Sequence, residues 1–301
     1  GDIFTGLSLA AAWVSGEVVD CDLSADTEDV APPGQLGQAA SITFAGSGHL
    51  VLSRTRLTGA PTAIGLAASF EARATPGAAQ LTLGPGCEFF SLGSGARVSM
   101  TGEDDDRFRV AGTPPEPVAI QSCQAVGLQI IAGAGSADIE GLVATGCGGA
   151  GLGVRLSGAG GDVRVSRSLI ARNGAGAQPS NITLGALGGA PASPFRMLFD
   201  SCTVHDAAGT VATDPGFPAP VEFDFRNLGS REAEITLRNC IVSGDSAEDA
   251  FNMTGSPNAT VVLESSALVF QGPYAVLHPN LTGAGRIVAR GLRVENPAYG
   301  S

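Results

Sequence analysis

A chain of 301 residues with 44% hydrophobic residues makes one large domain or two small ones and carries ample apolar surface for a core, which excludes wholesale disorder. Its 43 glycines and 18 prolines against 5% aromatics favour many short turns and exclude a helical bundle. The charge is 17 basic against 29 acidic residues, net −12, and every basic residue is arginine; this disfavours a nucleic-acid partner and rules out any lysine base, Schiff base or P-loop lysine.

No run of about 18 apolar residues occurs, so no membrane insertion is expected, and the N-terminus lacks the basic-then-apolar pattern of a signal peptide. The six cysteines (Cys21, Cys87, Cys123, Cys147, Cys202 and Cys240) form no CxxC and no metal-ligand spacing with the three histidines, so no metal site is expected from them. An extracellular address is compatible with them but not demanded.

In chain order, residues 1–40 carry no copy of the repeat that dominates the rest. "TGLSLAAAW" reads as a short helix ending at Trp13, followed by the acidic loop "CDLSADTEDVAPPGQ". A solenoid end needs a cover, so 1–40 is the expected N-terminal cap. From 41 onward the pattern apolar, any, apolar, two any, small or Cys, any, apolar appears. It is weak at Val118, Ile120, Cys123, Ala125 and at Ala137, Ile139, Leu142, Ala144. It is clear at Val163, Val165, Ser168, Ile170; at Met197, Phe199, Cys202, Val204; and at Ile235, Leu237, Cys240, Val242. It returns at Val261, Leu263, Ser266, Leu268 and at Ile287, Ala289, Leu292, Val294. The basic unit is about 26 residues, a period typical of solenoids. Loop insertions lengthen some units, and 102–117 and 206–220 stand out among them. Between copies lies a second short strand: Leu152–Leu156, Val221–Phe225, Asp249–Met253. Period-two strands with no crossover helix cannot close a core alone, so successive units must stack as a solenoid of parallel strands. The outward residue after the second apolar position reads Ser166, Asp200, Arg238, Glu264, Arg290; strands about 4.8 Å apart would turn the last four into an alternating charge ladder.

Stretches such as "VRVSRSLIARNGAG" and "ITLRNCIVSGD" resemble the coils of the right-handed parallel β-helix of the pectate-lyase-like superfamily, in which a small or amide residue turns the chain after the first strand. The resemblance covers 118–296 clearly and 41–117 loosely. It implies an all-β, single-stranded right-handed parallel β-helix of about ten coils over 41–301. It also implies polysaccharide as the partner, in an extracellular, cell-surface or virion setting, with glycosidase, lyase or epimerase chemistry or none. The C-terminal "VENPAYGS" offers no cap, so a C-terminal partner or a homotrimer covering the last coil is a further expectation.

Applying the same repeat offset superposes Glu222, Asp224 and Arg226 on Glu248, Ala250 and Asn252, and on Tyr274, Val276 and His278. Glu222 over Glu248 at about 4.8 Å, with Asp224 roughly 8 Å away, brackets the carboxylate separations of retaining and inverting glycosidases. Arg226, Asn252, Tyr274 and Asp249 are the expected substrate-binding groups, and His278 with Tyr274 the alternative base for proton abstraction beside a uronate carboxylate. "GDSAEDAFNM" resembles the acidic pair of the superfamily's hydrolases, here Glu248-Asp249, but the His-Gly and Arg-x-Lys motifs are missing. His205-Asp206 is a second weak pair. The opposed reading is a structural or adhesive β-helix whose polar face only binds. Gly146–Gly151 matches GxGxxG yet opens no helix, so it reads as turn glycine. Calcium is the one cofactor the acidic loops could hold, notably Glu103–Asp106. Asn181, Asn252, Asn258 and Asn280 begin N-x-T sequons.

Overall fold

The computed structural model describes residues 5–25, 37–72, 77–157, 161–175, 180–186, 195–207, 221–224, 232–244, 251–254, 258–270, 277–280 and 286–295. These form an all-β parallel solenoid with no helix among them. The local cause is alternation. In Phe195–Asp200, Phe195, Met197 and Phe199 are buried while Arg196, Leu198 and Asp200 point outward; Ala233–Arg238 and Ala259–Glu264 repeat the pattern. An apolar inner face and a polar outer face are both satisfied when each strand pairs in parallel with the strand one turn earlier.

The cross-section has three faces. Thr5–Val19 and Gln38–Ser53 bend through two of them, so these two faces form one 18-stranded sheet, and a separate ten-stranded sheet closes the third. Each strand of the third face, from Asp22–Ala25 to Arg293–Glu295, belongs to the next turn of the chain. The interior is filled by columns of stacked side chains. One column runs Phe108, Ala137, Val163, Met197, Ile235, Val261 along the second face, and Phe44 stacks on Phe70 with ring centroids 5.0 Å apart on the first. Every clear copy of the sequence repeat sits in this register, as does the ladder Ser166, Asp200, Arg238, Glu264, Arg290.

A single residue with positive φ turns the chain from the second face to the third: Asp20, Arg54, Gly86, Gly141, Arg167, Ser201, Asn239, Ser265 and Gly291. Stacked N–H to O=C bonds lock this corner, for example Arg167 N to Asp200 O, Ser201 N to Arg238 O and Asn239 N to Glu264 O. The residue after the turn is small or polar at seven of these corners, buried as Thr55, Cys87, Ser168, Cys202, Cys240 and Ser266 and partly buried as Cys21, and is leucine after Gly141 and Gly291. Ser168 Oγ accepts from Leu142 N and donates to Ser166 O, and Ser266 Oγ does the same between Cys240 N and Glu264 O. Gly146, with φ +68, opens a turn between the strands Leu142–Thr145 and Leu152–Leu156, as a turn glycine should.

Two sequence expectations are corrected. Thr5–Val19 is a strand, not a short helix, and residues 5–25 lie in the solenoid's own sheets, paired with Gln38–Ser53 and Arg56–Gly59; the Leu7/Leu9 alternation outweighs the helical propensity of the alanines. The weak repeat at Val118 is half a unit out of phase: Val118 pairs with Leu142 and Ile120 with Ala144, and the missing first half is Phe108 and Val110. The insertion Gly112–Pro117 separates the halves and hides the phase.

Candidate functional site

On the first face, the register places Glu222, Asn252 and His278 in one row, continuing upstream through Thr183, Gly153, Gln129 and Arg97. Asp224 shares the next row with Thr254 and Asn280. Asn252 over His278 is as expected, but Glu222 stacks on Asn252 instead of Glu248, because the turn from 222 to 252 is longer than the basic repeat. Phe251 and Leu277 accordingly share the Val221 row. Glu248, Asp249, Arg226, Tyr274 and Phe225 lie outside the described residues, as does 208–220 of the second insertion. His205 sits on the third face, away from that row, with Nδ1 2.9 Å from the Ser243 hydroxyl and its carbonyl accepting from Asn181 Nδ2.

The first insertion, 102–117, is described throughout and borders a broad groove. Its middle forms the strand Arg107–Ala111, and Arg107 and Arg109 face outward into this groove, of about 640 Å³, across the second face. Stacked register sets the floor: Arg109, Asp138 and Arg164 form one row, and Glu140, Ser166 and Asp200 the next. Backbone spacing within each row is about 4.8 Å. Asp106, at the root of the insertion, is fully buried; its carboxylate accepts from Ala79 N at 3.0 Å and Glu103 N at 2.8 Å. This carboxylate therefore holds the turn in place, and among the described residues no group of three or more metal-ligating side chains gathers.

Four arginines (107, 109, 164, 167) and three carboxylates (138, 140, 200) line the groove. Two of those carboxylates are committed: Glu140 pairs with Arg167, and Asp200 accepts from Arg238 Nη2 at 2.6 Å, with Ser201 Oγ at 3.2 Å and Asn239 Nδ2 at 3.3 Å. The Arg238 guanidinium holds the Asp200 carboxyl below the usual carboxylate range, helped by Asn239 and Ser201. Arg107 Nη1 donates to Ser136 Oγ at 2.8 Å. Arg109, Asp138 and Arg164 are exposed and make no side-chain hydrogen bond or ion pair among the described residues. The groove thus presents Arg107, Arg109 and Arg164 against Asp138 alone, a local positive surplus on a chain of net charge −12.

Sequence reasoning missed this groove although its signal was present. The residue after the first apolar position of the repeat reads Asp138, Arg164, Leu198 in successive units, and correcting the phase at Val118 adds Arg109 ahead of them. A shallower cleft of about 390 Å³ on the first face brings together Arg97, Gln129 and Arg155 with the hydroxyls of Ser41, Thr43 and Ser69. Comparison with protein-family models, with curated proteins and with solved structures gives no match to the chain.

Proposed function

We propose that the protein binds an acidic polysaccharide along the arginine-lined groove of the second face, in the extracellular or virion-associated setting that its resemblance to pectate-lyase-like β-helices suggests. The observation that carries this reading is the row Arg109, Asp138, Arg164, in which two guanidinium groups without an ion-pair partner among the described residues flank one carboxylate. Guanidinium forks match carboxylates bidentately, and regularly spaced arginines on a rigid sheet suit a polymer with a regularly spaced charge. Aspartate beside them can accept from sugar hydroxyls.

Binding fits the groove better than cleavage. A general acid needs a carboxyl whose proton is retained near neutral pH, whereas Asp200 is held ionised by Arg238 and Glu140 is ion-paired with Arg167. Glycosidase or lyase chemistry would have to come from the Glu222, Asp224 and His278 rows, not from this groove.

The test is equilibrium binding of the intact chain to polygalacturonate, alginate and hyaluronan beside neutral dextran, with reducing ends and unsaturated uronates followed in parallel. Binding of at least one acidic polymer, no binding of dextran, and a loss of about tenfold or more in Arg109→Ala and Arg164→Ala are expected, the usual scale for a charged hydrogen bond. Equal affinity for dextran, or unchanged affinity in both variants, would reject the groove. New reducing ends or uronate absorbance abolished by Glu222→Gln would move the function to the first face.

A further inference from the structure

Around the corner from the arginine groove, on the third face, lies a second cavity of about 650 Å³ with a different chemistry. Its wall is the rest of the same insertion, Pro114, Pro115 and Pro117, and its floor is Val143, Leu169 and Thr203. These three floor residues form one outward row of the third sheet. That row is largely apolar, Thr203 apart, where an exposed strand face is normally polar: Leu169 is 37% and Ile241 48% exposed. The two cavities share Glu140, Arg167 and Ser201, so they adjoin at this corner, one lined largely by charged groups and the other by apolar ones. Arg167, with its positive φ, is the corner itself, and its ion pair with Glu140 lies along the seam.

We propose that this second cavity receives a sugar unit carrying a methyl-terminated substituent, an O-acetyl or a 6-deoxy group, of the same acidic polysaccharide. The inference rests on the reading of the groove above and names the polymer more narrowly. A cavity of this size falls within the usual range of about 300–1,000 Å³ for ligand sites and exceeds what one methyl group needs, so it admits a whole unit. The cavity's polar side chains, Thr113, Glu140, Arg167, Ser168, Ser201 and Thr203, surround a patch of three prolines, a valine and a leucine; hydroxyls turned onto that patch would lose hydrogen bonds to water without regaining them there. A methyl group buried on Val143 and Leu169 meets no such penalty and gains from leaving water. Adjacency to the arginines points to the occupant: a chain whose carboxylates lie over Arg109 and Arg164 brings its next units or branches to Arg167, at the edge of this floor.

The experiment compares three acidic polymers on the intact protein by calorimetry: one O-acetylated, the same polymer after alkaline de-O-acetylation, and one with 6-deoxyhexose branches. One methyl-bearing polymer is expected to bind about fivefold or more tighter than the de-O-acetylated one, a single buried apolar group's share of affinity. Which of the two shows the gain identifies the substituent. Leu169→Ser, on an exposed row where folding is not at risk, is expected to remove that gain, so that the variant binds the methyl-bearing polymer no tighter than the de-O-acetylated one. Equal affinities for all three polymers, or a gain that survives in Leu169→Ser, would overturn the inference. If Arg164→Ala still weakens all three, the acidic-polysaccharide reading survives that failure; if Arg164→Ala changes nothing, both fall together.

Discussion

The carboxamide of Asn173 is fully buried and joins two turns of the chain. Its Oδ1 accepts from Cys147 N at 3.0 Å, its Nδ2 donates to Ala144 O at 2.9 Å, and both Nδ2 and its backbone N–H donate to Asn181 Oδ1. Removing it strands several buried partners at once, so Asn173→Ala is expected to cost about 3 kcal/mol in urea unfolding; a loss below about 1 kcal/mol would mean that water replaces the amide. Asn181 is likewise fully buried, so its sequon is expected to stay unmodified in the folded chain, read by peptide mass spectrometry after expression in a glycosylating host. Asp200 gives a pH prediction. Its folded pKa lies below the unfolded value because of Arg238, so its stabilising contribution is present above the ordinary aspartate value of about 3.9 and is lost as pH falls through the lower folded value. The stability gap between the wild type and Asp200→Asn is therefore expected to be flat near neutrality and to shrink below about pH 4. A gap that grows on acidification would reverse the sign and remove the ion pair as its cause.

At the scale of the turn and the strand, the corner between the second and third faces separates two costs that glycine usually hides together. Gly141 and Gly291 both occupy it with positive φ, at +66 and +59. A Cβ at Gly141 would lie 2.3 Å from Gly112 O, whereas at Gly291 the nearest atom is 3.8 Å away. Gly291→Ala is expected to cost about 1 kcal/mol, the left-handed penalty alone. Gly141→Ala is expected to cost at least about 3 kcal/mol, since the Gly112–Pro117 loop must move as well, and to weaken ligand at the cavity that loop walls. Comparable losses in chemical unfolding for the two variants would show that the loop yields freely. The strand stacking also buries thiols: Cys87, Cys123, Cys147, Cys202 and Cys240 are inside and only Cys21 is partly accessible. Burial pushes the Cys87 thiol up, and Cys123 and Cys202 are raised by the neighbouring Cys147 and Cys240 thiols as well as by burial. A thiol reagent is expected to titrate one group quickly in the native chain and all six after unfolding; fast reaction of several would contradict the buried columns.

For the whole molecule, a net charge of −12 repels itself while each turn is held only by its neighbours. Raising salt from about 10 to 150 mM shortens the screening length from about 30 to 8 Å, so Tm is expected to rise by a few degrees in spite of weakened surface pairs such as Arg54–Asp20. A fall in Tm would mean that the ladders outweigh the long-range repulsion. The same one-dimensional order predicts a gradient in amide exchange. Val163 and Val165 stand in two columns with buried neighbours on both sides, whereas Ile287 and Leu292 are only partly buried. Among the described strands, exchange is expected to be slowest in Ser136–Glu140, Asp162–Ser166 and Phe195–Asp200 and fastest in Arg286–Arg290 and Arg293–Glu295; uniform protection would indicate a single cooperative unit.

The amino-acid sequence by itself determined the repeat, the inward columns and the charge ladder, because all of these depend on period-two alternation within short strands, which marks the register even where the step between units changes, as it does from Val163 to Met197 to Ile235 to Val261. It failed where a fixed step was applied or an insertion split a unit. A longer turn between 222 and 252 moved Glu222 from Glu248 to Asn252, and the Gly112–Pro117 insertion shifted the phase at Val118 and hid Arg109. Loop length costs little free energy, so it drifts freely from turn to turn, whereas the register of a strand with one buried face does not. Only the tertiary structure therefore decided which distant residues share a row: Arg109, Asp138 and Arg164, and the prolines of the insertion beside Val143 and Leu169. The groove and the cavity beside it are consequences of stacking, which no single turn contains.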